Sequence, residues 1–131
     1  HHDVMPTLLR RVGIQHPAPD QLDGYDITHL LSGEADPQRP DRFIWHEPNF
    51  WANSGPESAI REGKWKLIYF YVDQRWELFD LTEDIGERDN LLGEHPEVAK
   101  RLAGDLIDWL SEHGAKYPTD AETGKELHPM H

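Results

Sequence analysis

The sequence predicts an α+β fold: a four-stranded antiparallel sheet packed by one long C-terminal helix, preceded by a short helix and an extended arm. Three observations carry this. Between Arg42 and Leu81, short runs of alternating residues are separated by turn residues. From Pro96 to Gly114, apolar residues recur at helical spacing. Between the N-terminal helix and the first strand, residues 15–41 contain four prolines and two glycines and follow neither period.

Each element has a local reason. DVMPTLLRRVGI offers Asp3 as N-cap, Pro6 in the first turn, Met5, Leu8, Leu9 and Val12 on one face, and Gly13 as C-cap. A helix opening the chain with no preceding partner leads us to expect further chain upstream. The arm docks through Leu22, Ile27, Leu30 and Leu31, with Gly24 supplying a turn. Arg42–His46 is the first strand, with Phe43 and Trp45 on the core face and His46 on the other. Ser58–Arg61 is the second. Glu62-Gly63 turns into Lys64–Val72, a central strand with Trp65, Leu67, Tyr69 and Tyr71 on one face. Asp73-Gln74 turns into Arg75–Leu81. TEDIGERDNLLGEHP is a charged loop in which Asp and Asn side chains cap their own turns. The last helix packs through Val98, Leu102, Leu106, Trp109 and Leu110. Residues 1–117 are expected to form one subdomain: helix and arm at 1–40, sheet at 41–81, helix at 95–114. A tail, 118–131, follows, mobile or draped on the surface.

The chain has 131 residues, is 37% hydrophobic and carries a net charge of −12. That length fits one modest domain. The acidic balance argues against nucleic acid or an anionic membrane as partner. No apolar run approaches the roughly 20 residues needed to cross a bilayer. Cysteine is absent, which excludes disulfides, thiolate metal sites and cysteine nucleophiles from this chain. Ser54, Ser58 and Ser111 sit in no GxSxG elbow. Neither His46 with Glu47 nor Asp80 with Glu83 and Asp84 has the spacing of a known cation motif, and HExxH is missing. No metal site and no catalytic set is therefore assigned here. The pattern reads as a supporting module.

Six landmarks in order carry a resemblance: DVMPTLL with VGI, LDGYDITHLLSG, FIWHEP, AIREGKWKLIYF, ELFDLTEDIGERDNL and PEVAKRLAGDLIDWL. Together they resemble the C-terminal subdomain of the sulfatase family, of the alkaline-phosphatase-like superfamily, from Asp3 to about Tyr117. The nearest pattern is that of bacterial sulfatases acting on sulfated carbohydrates. The resemblance implies a catalytic N-terminal domain in the same polypeptide. It also implies a formylglycine made from the Cys or Ser of a C/S-x-P-x-R motif, a calcium ion that binds the sulfate, and export to the periplasm or beyond. The one near-match, Ser54-Gly55-Pro56-Glu57-Ser58, ends in Ser where the motif has Arg. This chain alone is expected to be inactive.

FIWHEPNFW is where the resemblance touches substrate. Carbohydrate-acting relatives resemble Trp-His-x-Pro-His here, so His46 and Asn49 are the candidate substrate-binding residues and Trp51 a candidate sugar-stacking ring. Asn49 replaces the second histidine, and Glu47 and Phe50 also depart from the pattern. Two readings of His46 stay open: a contact to sugar or sulfate, or a half-buried ring bonded to nearby backbone. Two other functions stay open as well, a free-standing carbohydrate-binding or interaction module and a phosphate-ester hydrolase of the same superfamily.

Overall fold

The computed structural model describes residues 2–22, 24–34, 40–49 and 55–129. Trp51, the candidate stacking ring, lies outside them. The chain forms two compact units, residues 1–40 and 41–131.

In the first unit, α1 is Val4–Arg11, a 3₁₀ turn covers Pro19–Gln21, and α2 is Thr28–Leu31. Gly13 ends α1 at φ +70°, with the Ile14 N–H bonded to the Leu9 carbonyl at 2.9 Å, as its C-cap position requires. The arm returns along the start of α1. Thr7 Oγ1 donates to the Asp3 carbonyl at 2.5 Å and accepts the Ile27 N–H at 3.1 Å. Asp3 Oδ1 accepts the Tyr25 N–H at 2.9 Å. Gly24 serves this crossing and not a left-handed turn: a Cβ there would lie 2.1 Å from the His2 carbonyl oxygen. Among the described residues of this unit only Thr7 is buried.

The second unit holds the sheet, β1 Arg42–Glu47, β2 Glu57–Glu62, β3 Trp65–Phe70 and β4 Arg75–Asp80, and then α3, Pro96–Glu112. The strands form an antiparallel meander in the order β1-β2-β3-β4. Gly63, at φ +58°, makes the β2–β3 turn with Lys64. The β3–β4 link runs through residues 71–74, longer than the two-residue turn expected, because pairing closes at Phe70 and Arg75. Gly114, at φ +60°, ends α3, and the Ala115 N–H returns to the Leu110 carbonyl at 3.0 Å.

The core lies between sheet and helix. Ile60, Leu67 and Leu78 meet Leu102, Leu106 and Leu110, all fully buried, and Ile44, Trp65 and Leu92 pack against them. Each such side chain contributes on the order of 1.5–3 kcal/mol by leaving water. A smaller cluster, Ala59, Ile68 and Phe79, sits on the opposite side of the sheet with Phe70 and Leu81.

The register corrects the expected face of β1. Ile44 lies opposite Ile60, and Phe43 opposite Arg61. Ile60 points at α3, so Ile44 and His46 do too, while Phe43 and Trp45 turn to the other side. Trp45 is 52% exposed, its ring 6.1 Å from that of Phe43. Arg61 lies over the Phe43 ring and donates to the Gly63 carbonyl at 3.3 Å, so it is a brace. The partner strand decides which face of an edge strand is inside, and two alternating aromatics imitate that signal.

The charged loop after β4 caps itself. Asp80 Oδ1 accepts the Thr82 N–H and hydroxyl at 3.0 and 2.6 Å, and Lys64 donates to Oδ2 at 2.6 Å. Asp84 Oδ2 accepts the Arg88 and Asp89 N–H groups at 2.6 and 2.9 Å. Asn90 Oδ1 takes the Leu78 N–H at 3.1 Å and the Leu92 N–H at 3.0 Å, while the Leu91 N–H donates to the Leu78 carbonyl at 2.8 Å. One side chain thus continues the hydrogen bonding along the outer edge of β4.

Candidate functional site at the exit of β1

β1 ends at Glu47, and Pro48 removes the next ladder donor. His46 is half-buried at this exit, beneath the segment that follows α3. Its Nε2 lies 2.8 Å from the Lys116 carbonyl and its Nδ1 2.7 Å from Ser58 Oγ. A carbonyl only accepts, so Nε2 carries the proton. On the neutral ring Nδ1 then accepts from the Ser58 hydroxyl. Ser58 Oγ lies 2.8 Å from the Tyr71 hydroxyl, which donates to it in turn. Ser58 and Tyr71 are both fully buried. Burial pushes the Tyr71 phenol up to about 12, against a smaller opposing effect of its bond to Ser58.

Around this chain stands an aromatic cluster. His46 meets Tyr71 and Tyr117 edge-on, at 6.2 and 6.0 Å between ring centres. Tyr69 lies 5.1 Å from Tyr71 and 4.6 Å from Trp76. Asn49 is exposed just beyond the strand, with its backbone N–H 3.3 Å and its side-chain amide 3.4 Å from Glu47 Oε1. The two candidate residues therefore sit at the same strand end but differ in kind. Both ring nitrogens of His46 are engaged within the chain, whereas Asn49 faces solvent.

Sequence reasoning missed Ser58, Tyr71 and Lys116. Ser58 pairs with Tyr69 across the β2–β3 ladder, and Tyr71 is two residues further on the same face, so a register would have revealed that link. Lys116 acts through its backbone, which no side-chain pattern announces. Ser58, which stands where the C/S-x-P-x-R motif has Arg, is a buried strand residue, and Ser54, at the first position of that near-match, lies outside the described residues. Among the described residues no group of three or more His, Cys, Asp or Glu side chains could hold a metal ion. The described residues do not fit the calcium that the family resemblance implies, and no chemical step is assigned to them.

This antiparallel meander, with one helix across it and a side-chain-braced loop between the two, is the fold of a C-terminal domain of the sulfatase family. Residues 1–113 match the family described as N-sulphoglucosamine sulphohydrolase, C-terminal, and the chain belongs to that family. A sulfatase of Formosa agariphila is 32% identical over 86% of this chain and 23% of its own length. A delta 4,5-hexuronate-2-O-sulfatase of Bacteroides thetaiotaomicron is 29% identical over 77% of this chain and 21% of its own. A structure solved in complex with its substrate D-glucosamine-2-N,6-O-disulfate aligns with a TM-score of 0.65 and 23% identity, covering 86% of this chain and 24% of that one. The chain thus spans about a quarter of the length of the relatives it matches.

Proposed function

We propose that this chain is the C-terminal part of a longer sulfatase that hydrolyses sulfate esters of a carbohydrate, and that it supports the catalytic domain and shapes the substrate pocket. The formylglycine and calcium belong, in this reading, to that upstream domain, and the whole protein is exported to the periplasm or beyond. The carrying observation is the family match over residues 1–113 in a chain that covers only 23% of its sulfatase relative. The unsatisfied surface of α1 supports it. Val4, Met5, Leu8 and Val12 are between 54% and 64% exposed, an apolar face of the kind that a neighbouring domain covers. The carbohydrate substrate is supported by the activities of the relatives and by the position of Asn49 on an exposed strand exit. In this reading Asn49 contacts sugar or sulfate directly. His46 lines the same rim and reaches substrate only by giving up one of its two internal bonds.

The test compares this chain with the longer polypeptide. The longer protein should release sulfate from an aryl sulfate and from a sulfated oligosaccharide, and the 131-residue chain from neither. Sulfate release by the short chain unaided would sink the reading. Sugar binding by the short chain in a calorimeter would favour a self-contained binding module instead. For the rim, His46→Ala and Asn49→Ala should each impair turnover of the oligosaccharide far more than that of the aryl sulfate. Equal loss on both substrates would make these residues structural.

A further inference from the structure

The segment after α3 lies beyond the residues that match the family, yet it is tied to the sheet at several points. The Lys116 carbonyl takes the Nε2 proton of His46, and the Tyr117 ring packs against His46 and Tyr71. Pro118 is buried, and the Leu127 N–H returns to its carbonyl at 2.9 Å. Between them Thr119 pairs with Glu126. Asp120 Oδ1 holds the N–H groups of Glu122 and Thr123, and Gly124 turns the chain at φ +69°. The His128 ring lies 4.1 Å from that of Tyr117, its carbonyl accepts from the Tyr69 hydroxyl at 3.4 Å, and Pro129 is buried. The tail, expected to be mobile or draped on the surface, lies over the aromatic cluster as a hairpin with both legs anchored there.

The direction of the hydrogen bonds gives this tail a role. With the His46 ring neutral, Tyr71 donates to Ser58, Ser58 to His46 Nδ1, and His46 Nε2–H to Lys116, so the relay ends on the tail. Either ring nitrogen could carry the proton of a neutral histidine. Here the Lys116 carbonyl and the Ser58 hydroxyl select one form and fix the ring plane. We infer that residues 116–129 are a positioning clamp: they lock the ring of His46 and with it the course of Glu47–Asn49. The clamp stands on this geometry alone. Its consequence for substrate, a tail that tunes the rim of the pocket, rests on the function proposed above.

Two measurements separate those claims. In the 131-residue chain with ¹⁵N-labelled histidine, the His46 Nε2 proton should give one slowly exchanging signal. Tyr117→Ala, which removes the ring holding the tail against His46, should speed its exchange with water about tenfold, the scale of one lost hydrogen bond. Tyr117→Phe should restore the slow rate. A chain ending at Ala115 should lose the signal altogether. Unchanged exchange in Tyr117→Ala, or a proton on Nδ1 in the parent chain, would overturn the clamp. In the longer sulfatase, Tyr117→Ala should raise KM for a sulfated oligosaccharide about fivefold with kcat unchanged, leaving the aryl sulfate unaffected; one weakened contact carries that much. Fast exchange with an unaltered KM would refute the rim and leave the clamp standing.

Discussion

The two units of this chain treat apolar side chains in opposite ways. Residues 41–131 enclose a core of them: Ile60, Leu67, Leu78, Leu102, Leu106 and Leu110 are all without exposure, while Trp45, Val72 and Ile85 stay open. Residues 1–40 display them, and Thr7, a polar residue, is the single buried position among those described there. The first unit is held instead by directional bonds, Asp3 to Tyr25 and Thr7 to Ile27. The contrast teaches which part supplies its own stability. A meander closed by a helix buries enough surface to stand; a helix with an arm alongside it does not.

The largest effect belongs inside the closed unit. Leu67→Ala should cost about 3 kcal/mol in urea denaturation, since it opens a cavity between sheet and helix. Asn90→Ala should cost about 2 kcal/mol, because it strips the acceptor from two backbone N–H groups, and Asn90→Asp should recover most of that. The third effect is one of pH. Lys64, and then Thr82, hold the Asp80 carboxyl below its usual 3.8, at about 2. A lowered carboxylate stabilises the fold above its ordinary value and loses that contribution as pH falls toward its folded value. Thermal stability should therefore decline between about pH 4 and pH 2, and Asp80→Asn should flatten that decline. The smallest effect lies on the open unit. Leu8→Ser should change the stability of the 131-residue chain by no more than about 0.5 kcal/mol and reduce binding of an apolar dye. In the longer protein the same change should cost about 2 kcal/mol, the worth of a buried leucine. A large cost in the short chain would erase the contrast between the units.

What the sequence disclosed follows from the range of the forces involved. Gly13, Gly63 and Gly114 punctuate helices and a turn through their own backbone angles, so they are read one at a time. The face of α3 is set by its own period, and Asn90 caps backbone twelve residues or fewer away. The inward side of β1 was not legible, because Ile60 on the neighbouring strand chooses it. The candidate site was legible only as a place. His46 and Asn49 do share the exit of β1, but the partners of His46 come from positions 12 and 70 residues distant. One of them is a main-chain oxygen, invisible to any pattern of residue types.

Asn90 has one more implication. The outer strand of an open sheet invites strangers to pair with it, and fibrils grow from such margins. At Leu78 both main-chain groups on that margin are already spoken for, the N–H by Asn90 and the carbonyl by Leu91. Asp80's carbonyl is likewise taken by Asp84. From Leu78 to Asp80 this flank is therefore closed to a foreign strand by a single carboxamide and the bend that follows it.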